Sequence, residues 1–231
     1  KAYGDATFPL TDPTSSTPGT FTYSSATTSV ISVSGNSATV VGAGSSVITA
    51  TFTPTDTTNY TSGGTTSMTV TVGKATPTFG SWDGVTKTYG DASFAITSPT
   101  PSTPGTFTYT SGTTSVMTIS GSTATVAGAG TSLITATFTP TDTTNYNSGG
   151  TTTMTVTVGK ATPTFTWSGV TKTYGDANFS LTAPTPSTPG TFTYSSSTSS
   201  VISLSGGTAT VAGAGTSTIT ATFTPTATTN Y

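Results

Sequence analysis

The sequence predicts an all-β chain: tandem immunoglobulin-like β-sandwich domains arranged as beads on a string. Three observations carry this expectation. A motif returns at the spacing of one small domain. Within each copy, apolar residues alternate with threonine at a period of two. Helical periodicity is missing, and so are most strong helix formers.

The repeat comes first. Lys1-Ala2-Tyr3-Gly4-Asp5 returns as Lys87-Thr88-Tyr89-Gly90-Asp91 and as Lys172-Thr173-Tyr174-Gly175-Asp176. From 1 to 87 is 86 residues, and from 87 to 172 is 85. Thr58-Asn59-Tyr60 returns at Thr144-Asn145-Tyr146 and Thr229-Asn230-Tyr231. The residue lost between copies falls in the connector, where Phe79-Gly80-Ser81-Trp82-Asp83-Gly84-Val85 becomes Phe165-Thr166-Trp167-Ser168-Gly169-Val170. Indels belong in loops. The period exceeds that of a solenoid coil and suits a whole small domain. The expected domains are 1–73 (lacking its first strand), 74–159 (complete) and 160–231 (lacking its last strand), an excerpt of a longer array.

The middle copy shows why strands are expected. Residues 93–97 place Phe94 and Ile96 on one face, and residues 106–110 do the same with Phe107 and Tyr109. Residues 115–120 offer Met117 and Ile119, and residues 122–127 offer Ala124 and Val126. Residues 132–139 offer Ile134, Ala136 and Phe138, and residues 151–158 offer Met154, Val156 and Val158. Threonine fills the other face, as in half-buried antiparallel strands, where a β-branched side chain favours extended backbone. Turn residues punctuate the strands at Pro101-Ser102-Thr103-Pro104-Gly105, Gly121, Gly128-Ala129-Gly130 and Ser148-Gly149-Gly150. Exchanges between copies keep apolar volume, as core positions require: Leu10/Ile96/Leu181, Ile31/Met117/Ile202 and Val33/Ile119/Leu204. The aligned aromatics Phe21/Phe107/Phe192 and Phe52/Phe138/Phe223 are expected to contribute most to the core. About seven short strands per copy point to a two-sheet sandwich.

Composition excludes several chemistries. The chain contains no Cys, His, Arg, Glu or Gln, and its charges are five lysines and seven aspartates. Without His, a Ser-His-Asp or Cys-His arrangement is impossible, and most general acid–base groups are missing. Structural zinc lacks its ligands. Five scattered lysines make no nucleic-acid footprint. No apolar run approaches the ~20 residues that span a bilayer. The expectation is therefore a non-enzyme that needs no cofactor, contacts no nucleic acid and inserts no segment into a membrane. Without cysteine, each domain must rely on its own core.

The segment Thr114-Ser115-Val116-Met117-Thr118-Ile119-Ser120-Gly121, with Val126-Ala127-Gly128-Ala129-Gly130-Thr131-Ser132-Leu133-Ile134-Thr135-Ala136-Thr137, resembles the core of group 2 bacterial Ig-like domains. The Lys-Thr-Tyr-Gly-Asp opening and the Asn-Tyr before the last strand resemble the MBG domain of YGX type. The resemblance covers all three copies. It implies β-sandwiches of long extracellular or cell-surface proteins, such as adhesins and stalks, with no catalytic residues to carry over. Charge is lower here than in such domains.

Candidate sites are few. The Tyr-Gly-Asp motif, with Asp91, Asp142 and Asp83, could ligate calcium at a domain junction. A turn with Gly in an unusual dihedral and Asp bonding nearby backbone is the preferred reading, because calcium wants six to eight oxygens and several carboxylates. Asp142 is moreover replaced by Ala227 in the third copy. Lys87 or Lys160 could form an isopeptide crosslink, but exposed edge protection fits lysines at domain edges better. Trp82 and Trp167, with Tyr89, Tyr174, Pro77 and Pro163, are assigned to the interdomain joint as a hydrophobic clasp, in preference to a sugar platform. Tyr60, Tyr146 and Tyr231 are expected at corners before a strand. Asn59 and Asn178 match the N-glycosylation pattern.

The functional expectation is a structural repeat array, either a stalk or a surface filament. Its partners would be neighbouring repeats, or itself in lateral or head-to-tail assembly, because few charges guard the sheet edges. The alternative is an adhesin module with repeated weak glycan sites.

Overall fold

The computed structural model describes residues 1–231. It contains twenty strands and no helix, and the chain is all-β, made of tandem β-sandwich domains. Two compact units divide it. The first takes Lys1–Asp83, Thr97–Thr110 and Thr135–Thr153; the second takes Gly84–Ile96, Ser111–Ile134 and Met154–Tyr231. The middle copy contributes to both.

The first unit shows how the alternation becomes a sandwich. Its first six strands are β1 (Phe8–Pro9), β2 (Gly19–Ser25), β3 (Ile31–Ser34), β4 (Ser37–Val40), β5 (Gly44–Pro54) and β6 (Gly64–Val72). One sheet has the order β1-β4-β3 and the other β2-β5-β6. Along β5, Ser46, Ile48 and Ala50 are buried while Val47 faces solvent. Leu10, Ile31 and Ala38 join Ile48, Val70 and Val72 in one core, so the two sheets pack face to face. Each fully buried Ile or Val stabilises by about 1.5–3 kcal/mol relative to exposure. Buried Ser46 meets its hydrogen-bonding needs locally: its hydroxyl accepts from the Thr27 N–H at 3.0 Å and pairs with the Ser25 hydroxyl at 2.8 Å.

Local chemistry sets the turns. Ser34 pairs with Ser37 across Gly35-Asn36, and Gly35 has φ +58°. A positive φ at the first central position suits the hairpin turn that matches strand twist. The Tyr-Gly-Asp motif is also a turn. Gly90 has φ +93°, the Asp91 N–H donates to the Thr88 carbonyl at 3.0 Å, and the Asp91 carboxylate accepts from the Thr88 N–H at 2.9 Å.

The second unit repeats this pattern. Met117–Ser120 pairs Thr123–Val126, which pairs Phe94–Ala95. Ile202–Ser205 pairs Thr208–Val211, which pairs Phe179–Ser180. Val85–Thr88 runs parallel to the end of Thr151–Gly159, Val156 facing Val85. The strand expected over residues 93–97 shortens to Phe94–Ala95. Ile96 still donates its N–H to the Ser122 carbonyl, but Pro99 follows with no N–H to extend a ladder.

Candidate functional site: the joint between copies

The Asn-Tyr motif builds a docking surface, and it builds it twice. In the first unit, Asp142 prepares the loop. Its carboxylate accepts from the N–H groups of Thr144 (3.0 Å) and Asn145 (3.1 Å) and from the Asn145 side-chain amide (2.7 Å). This fixes the amide and aims its oxygen away from the loop. That oxygen accepts from the Ala43 N–H at 2.7 Å. The loop at Gly42 comes close enough because glycine lacks a Cβ: one placed there would sit 2.6 Å from the Ser29 carbonyl and 3.3 Å from the Asn145 oxygen.

Three further contacts complete the joint. Tyr3 and Tyr146 meet edge to face, centroids 5.3 Å apart, the geometry that ring quadrupoles favour. The connector pairs with the loop as backbone. The Ala75 N–H donates to the Asn145 carbonyl (2.8 Å), and the Asn147 N–H donates to the Ala75 carbonyl (2.9 Å). Lys74 Nζ donates to the Thr143 carbonyl at 2.6 Å.

The second unit carries the same construction. The Asn230 side-chain oxygen accepts from the Ala129 N–H at 2.8 Å. Tyr89 and Tyr231 meet edge to face at 5.4 Å. The Ala161 N–H donates to the Asn230 carbonyl at 2.9 Å, and Lys160 Nζ donates to the Thr228 carbonyl. One part differs. Ala227 stands where the first joint has Asp142, and the loop is held by backbone bonds from Asn230 and Tyr231 to the Ala227 carbonyl.

The Asp142 carboxyl is held below the usual carboxylate range, first by the side-chain hydrogen bond from Asn145 and then by the backbone N–H of Asn145. Its folded-state pKa lies below its unfolded value, so its contribution is complete above the ordinary carboxylate range. That contribution is lost as pH falls through the folded value. Acidification should therefore speed exchange of the Ala43 amide while leaving the Ala129 amide governed by its Ala227 loop. NMR hydrogen exchange across a pH series, normalised for intrinsic rates, checks this.

Other sequence-predicted residues lie as follows. Trp82 donates its indole N–H to the Thr97 carbonyl at 2.6 Å and packs 5.9 Å from Tyr109. Trp167 does the same with the Thr182 carbonyl and with Tyr194 at 5.5 Å. Both tryptophans thus tie the connector to the strand-bearing body of their own copy, and the copy-to-copy contacts are made by the tyrosine pairs and by the Asn145 and Asn230 side-chain oxygens. Replacing Trp167 with Phe should lower stability by about 0.5–1.5 kcal/mol, the worth of one hydrogen bond, measured by chemical denaturation of the whole chain. Pro77 is buried and Pro163 half-buried. Phe79 and Phe165, just after them, cap the clusters Phe79/Phe107/Phe138 and Phe165/Phe192/Phe223. Tyr89 lies in a joint, whereas Tyr174 is 68% exposed. Lys87 Nζ sits over the Phe94 ring at 4.6 Å. Asn59 and Asn178 are exposed, the former donating its amide to Asp56. Asp83 is exposed, and no group of three or more metal-ligating acids comes together.

Asn59 and Asn145 align, but only Asn59-Tyr60-Thr61 matches the N-glycosylation pattern, and no pattern local to Asn145 points to its reach. The sequence carries a signal all the same: an Asp three residues before the Asn in the first two copies, replaced by Ala227 in the third, and a Gly-Ala-Gly loop in all three.

No family model matches the chain, and no curated protein matches it. Among solved structures, the chain is similar to Drosophila N-cadherin EC1-4, at 13% identity and TM-score 0.36, covering 90% of this chain and 63% of that one. It is similar to surface layer protein SbsC, domains 1-6, at 18% identity and TM-score 0.27, covering 91% and 30%. It is similar to the human Desmocollin-1 ectodomain at 11% identity and TM-score 0.28, covering 82% and 44%. The chain spans less than two thirds of the length of each.

Proposed function

We propose that this chain is part of a non-catalytic, extracellular structural repeat array, a stalk or surface filament, with repeats at 1–73, 74–159 and 160–231. The observation that supports it best is the repeated joint. The same Asn, Tyr and Gly-Ala loop connect one copy to the next in each unit. A chain that specifies its copy-to-copy contacts this fully holds successive domains at a set angle, which a stalk needs and a set of independent domains does not.

The finer affiliation we propose is with group 2 bacterial Ig-like and MBG repeats, on the strength of the motifs themselves. Composition agrees with a structural role. Threonine fills roughly three positions in ten, mostly on outward strand faces where β-propensity is its use. The exposed asparagines of Asn59-Tyr60-Thr61 and Asn178-Phe179-Ser180 suit a secreted setting.

Electron microscopy of native full-length material, with antibody against these repeats on intact cells, tests the proposal. Surface label on thin strings or regular fibres is the expected result. Label confined to the cell interior, or to compact particles, would overturn it.

A further inference from the structure

The middle copy is entered and left along neighbouring strands that run the same way. Val85–Thr88 follows one connector, and Thr151–Gly159 precedes the next. The two pair in parallel, Val156 with Val85, Thr157 with Thr86, Val158 with Lys87 and Gly159 with Thr88. One more bond extends the ladder, from the Tyr89 N–H to the Gly159 carbonyl at 2.8 Å. The first copy carries the same end of the ladder. Ala2 bridges Gly73 in parallel, and the Tyr3 N–H donates to the Gly73 carbonyl at 2.9 Å.

Both strands of this ladder are well seated. Val156 and Val158 are buried, so the core fixes the exit strand. The entry strand lies at the sheet edge, where Lys87 Nζ holds it over the Phe94 ring. A Cβ at Gly84 would sit 2.7 Å from the Thr155 carbonyl oxygen, so the chain reaches the ladder in close contact with the exit strand. Direction now matters. The chain enters at the Val85 end of the ladder and leaves at the Gly159 end. Tension between those two points slides one strand along the other. Every bond of the ladder is then loaded at once, and none opens before the rest. Tension between two points at the Val85 end opens the same bonds one after another.

We propose that this parallel ladder carries axial tension through the copy, which therefore resists pulling along the chain more strongly than peeling across it. Forced unfolding is governed by the unfolding rate rather than by equilibrium stability. A ladder that fails only as a unit thus lengthens the lifetime under load at unchanged stability. The biological role rests on the stalk reading of the array, whereas the directional strength rests on the ladder alone. The register also says which rungs matter. Successive backbone N–H groups of a strand point to opposite sides. The Tyr89 N–H faces the exit strand, so the Lys87 N–H faces it too, and that of Thr86 points outward from the edge.

The test pulls the whole 231-residue chain between two introduced thiols, which define the direction because the chain has no cysteine. Asp83→Cys with Thr162→Cys loads the ladder lengthwise. Asp83→Cys with Thr153→Cys opens it from the Val85 end, and all three positions are exposed. Single-molecule force spectroscopy at one loading rate should give a rupture force at least twofold higher for the first pair. Lys87→Pro removes a rung and should bring the lengthwise force down towards the peeling value. Thr86→Pro should leave that force unchanged, since an edge strand accepts proline where the missing N–H faced solvent. Equal forces in the two directions would overturn the proposal, as would an equal loss with Thr86→Pro. Either result would leave the surface labelling, and with it the array reading, untouched.

Discussion

Replacing Phe138 with Ala should destabilise the chain by about 3–5 kcal/mol, the cost of deleting a fully buried phenylalanine and leaving a cavity. Phe138 is 0% exposed, with its ring 4.9 Å from Phe107 and 5.4 Å from Phe79. Gly105 makes the same point from the other side. A Cβ there would meet Phe138 Cζ at 2.3 Å and the Thr139 carbonyl oxygen at 2.4 Å. Gly105→Ala should therefore also destabilise, by about 1–3 kcal/mol or more. Because one of the two clashes is with backbone, the double variant should not recover the loss. The aligned Phe223 is only half-buried, so Phe223→Ala should cost less than Phe138→Ala. Urea denaturation followed by tryptophan fluorescence, one variant at a time, gives these differences. Equal losses at Phe138 and Phe223 would show that the burial difference between the copies has no energetic weight.

The second large effect is at the joint. Asn145→Ala removes the acceptor of the Ala43 N–H and the amide held by Asp142, and Tyr146→Ala removes the edge-to-face partner of Tyr3. One hydrogen bond and one aromatic pair together contribute about 1–3 kcal/mol. Opening of the joint should become about 10- to 100-fold more frequent. The Ala43 amide should exchange faster by that factor, while the amides paired between β2 and β5 keep their protection. Asn145→Asp is a sharper variant. It keeps an oxygen for Ala43 but sets a second carboxylate against Asp142, so it should loosen the joint at neutral pH and recover as the carboxylates protonate.

Much of this was legible in the sequence, and the reason is the period. Alternation at a period of two says which face of a strand is wet, and copy comparison confirms it at Ile31/Met117/Ile202. The Tyr-Gly-Asp turn was readable because positive φ has few tenants besides glycine. The two-residue strands at Phe8–Pro9 and Phe94–Ala95 were harder, since prolines beside them cut the ladder without changing the apolar pattern. The joint was harder still. Tryptophan draws attention as the largest aromatic, but its indole N–H must find a partner when covered, and it finds one in its own copy. The group that reaches across is an amide oxygen on Asn145. Asparagine is common in turns for local reasons, so nothing in one copy distinguishes an outward-reaching Asn from a turn-forming one.

In the first unit the Asn-Tyr joint holds one copy against the next by side-chain contacts, in addition to the linker. Spin labels at Thr20 and Thr106, both exposed and both in the first unit, test it through the distance distribution measured by pulsed electron–electron resonance. A locked joint gives one narrow distribution in the parent chain and a markedly broader one once Asn145 and Tyr146 are both alanine. A parent distribution already as broad as that of the double variant would contradict it.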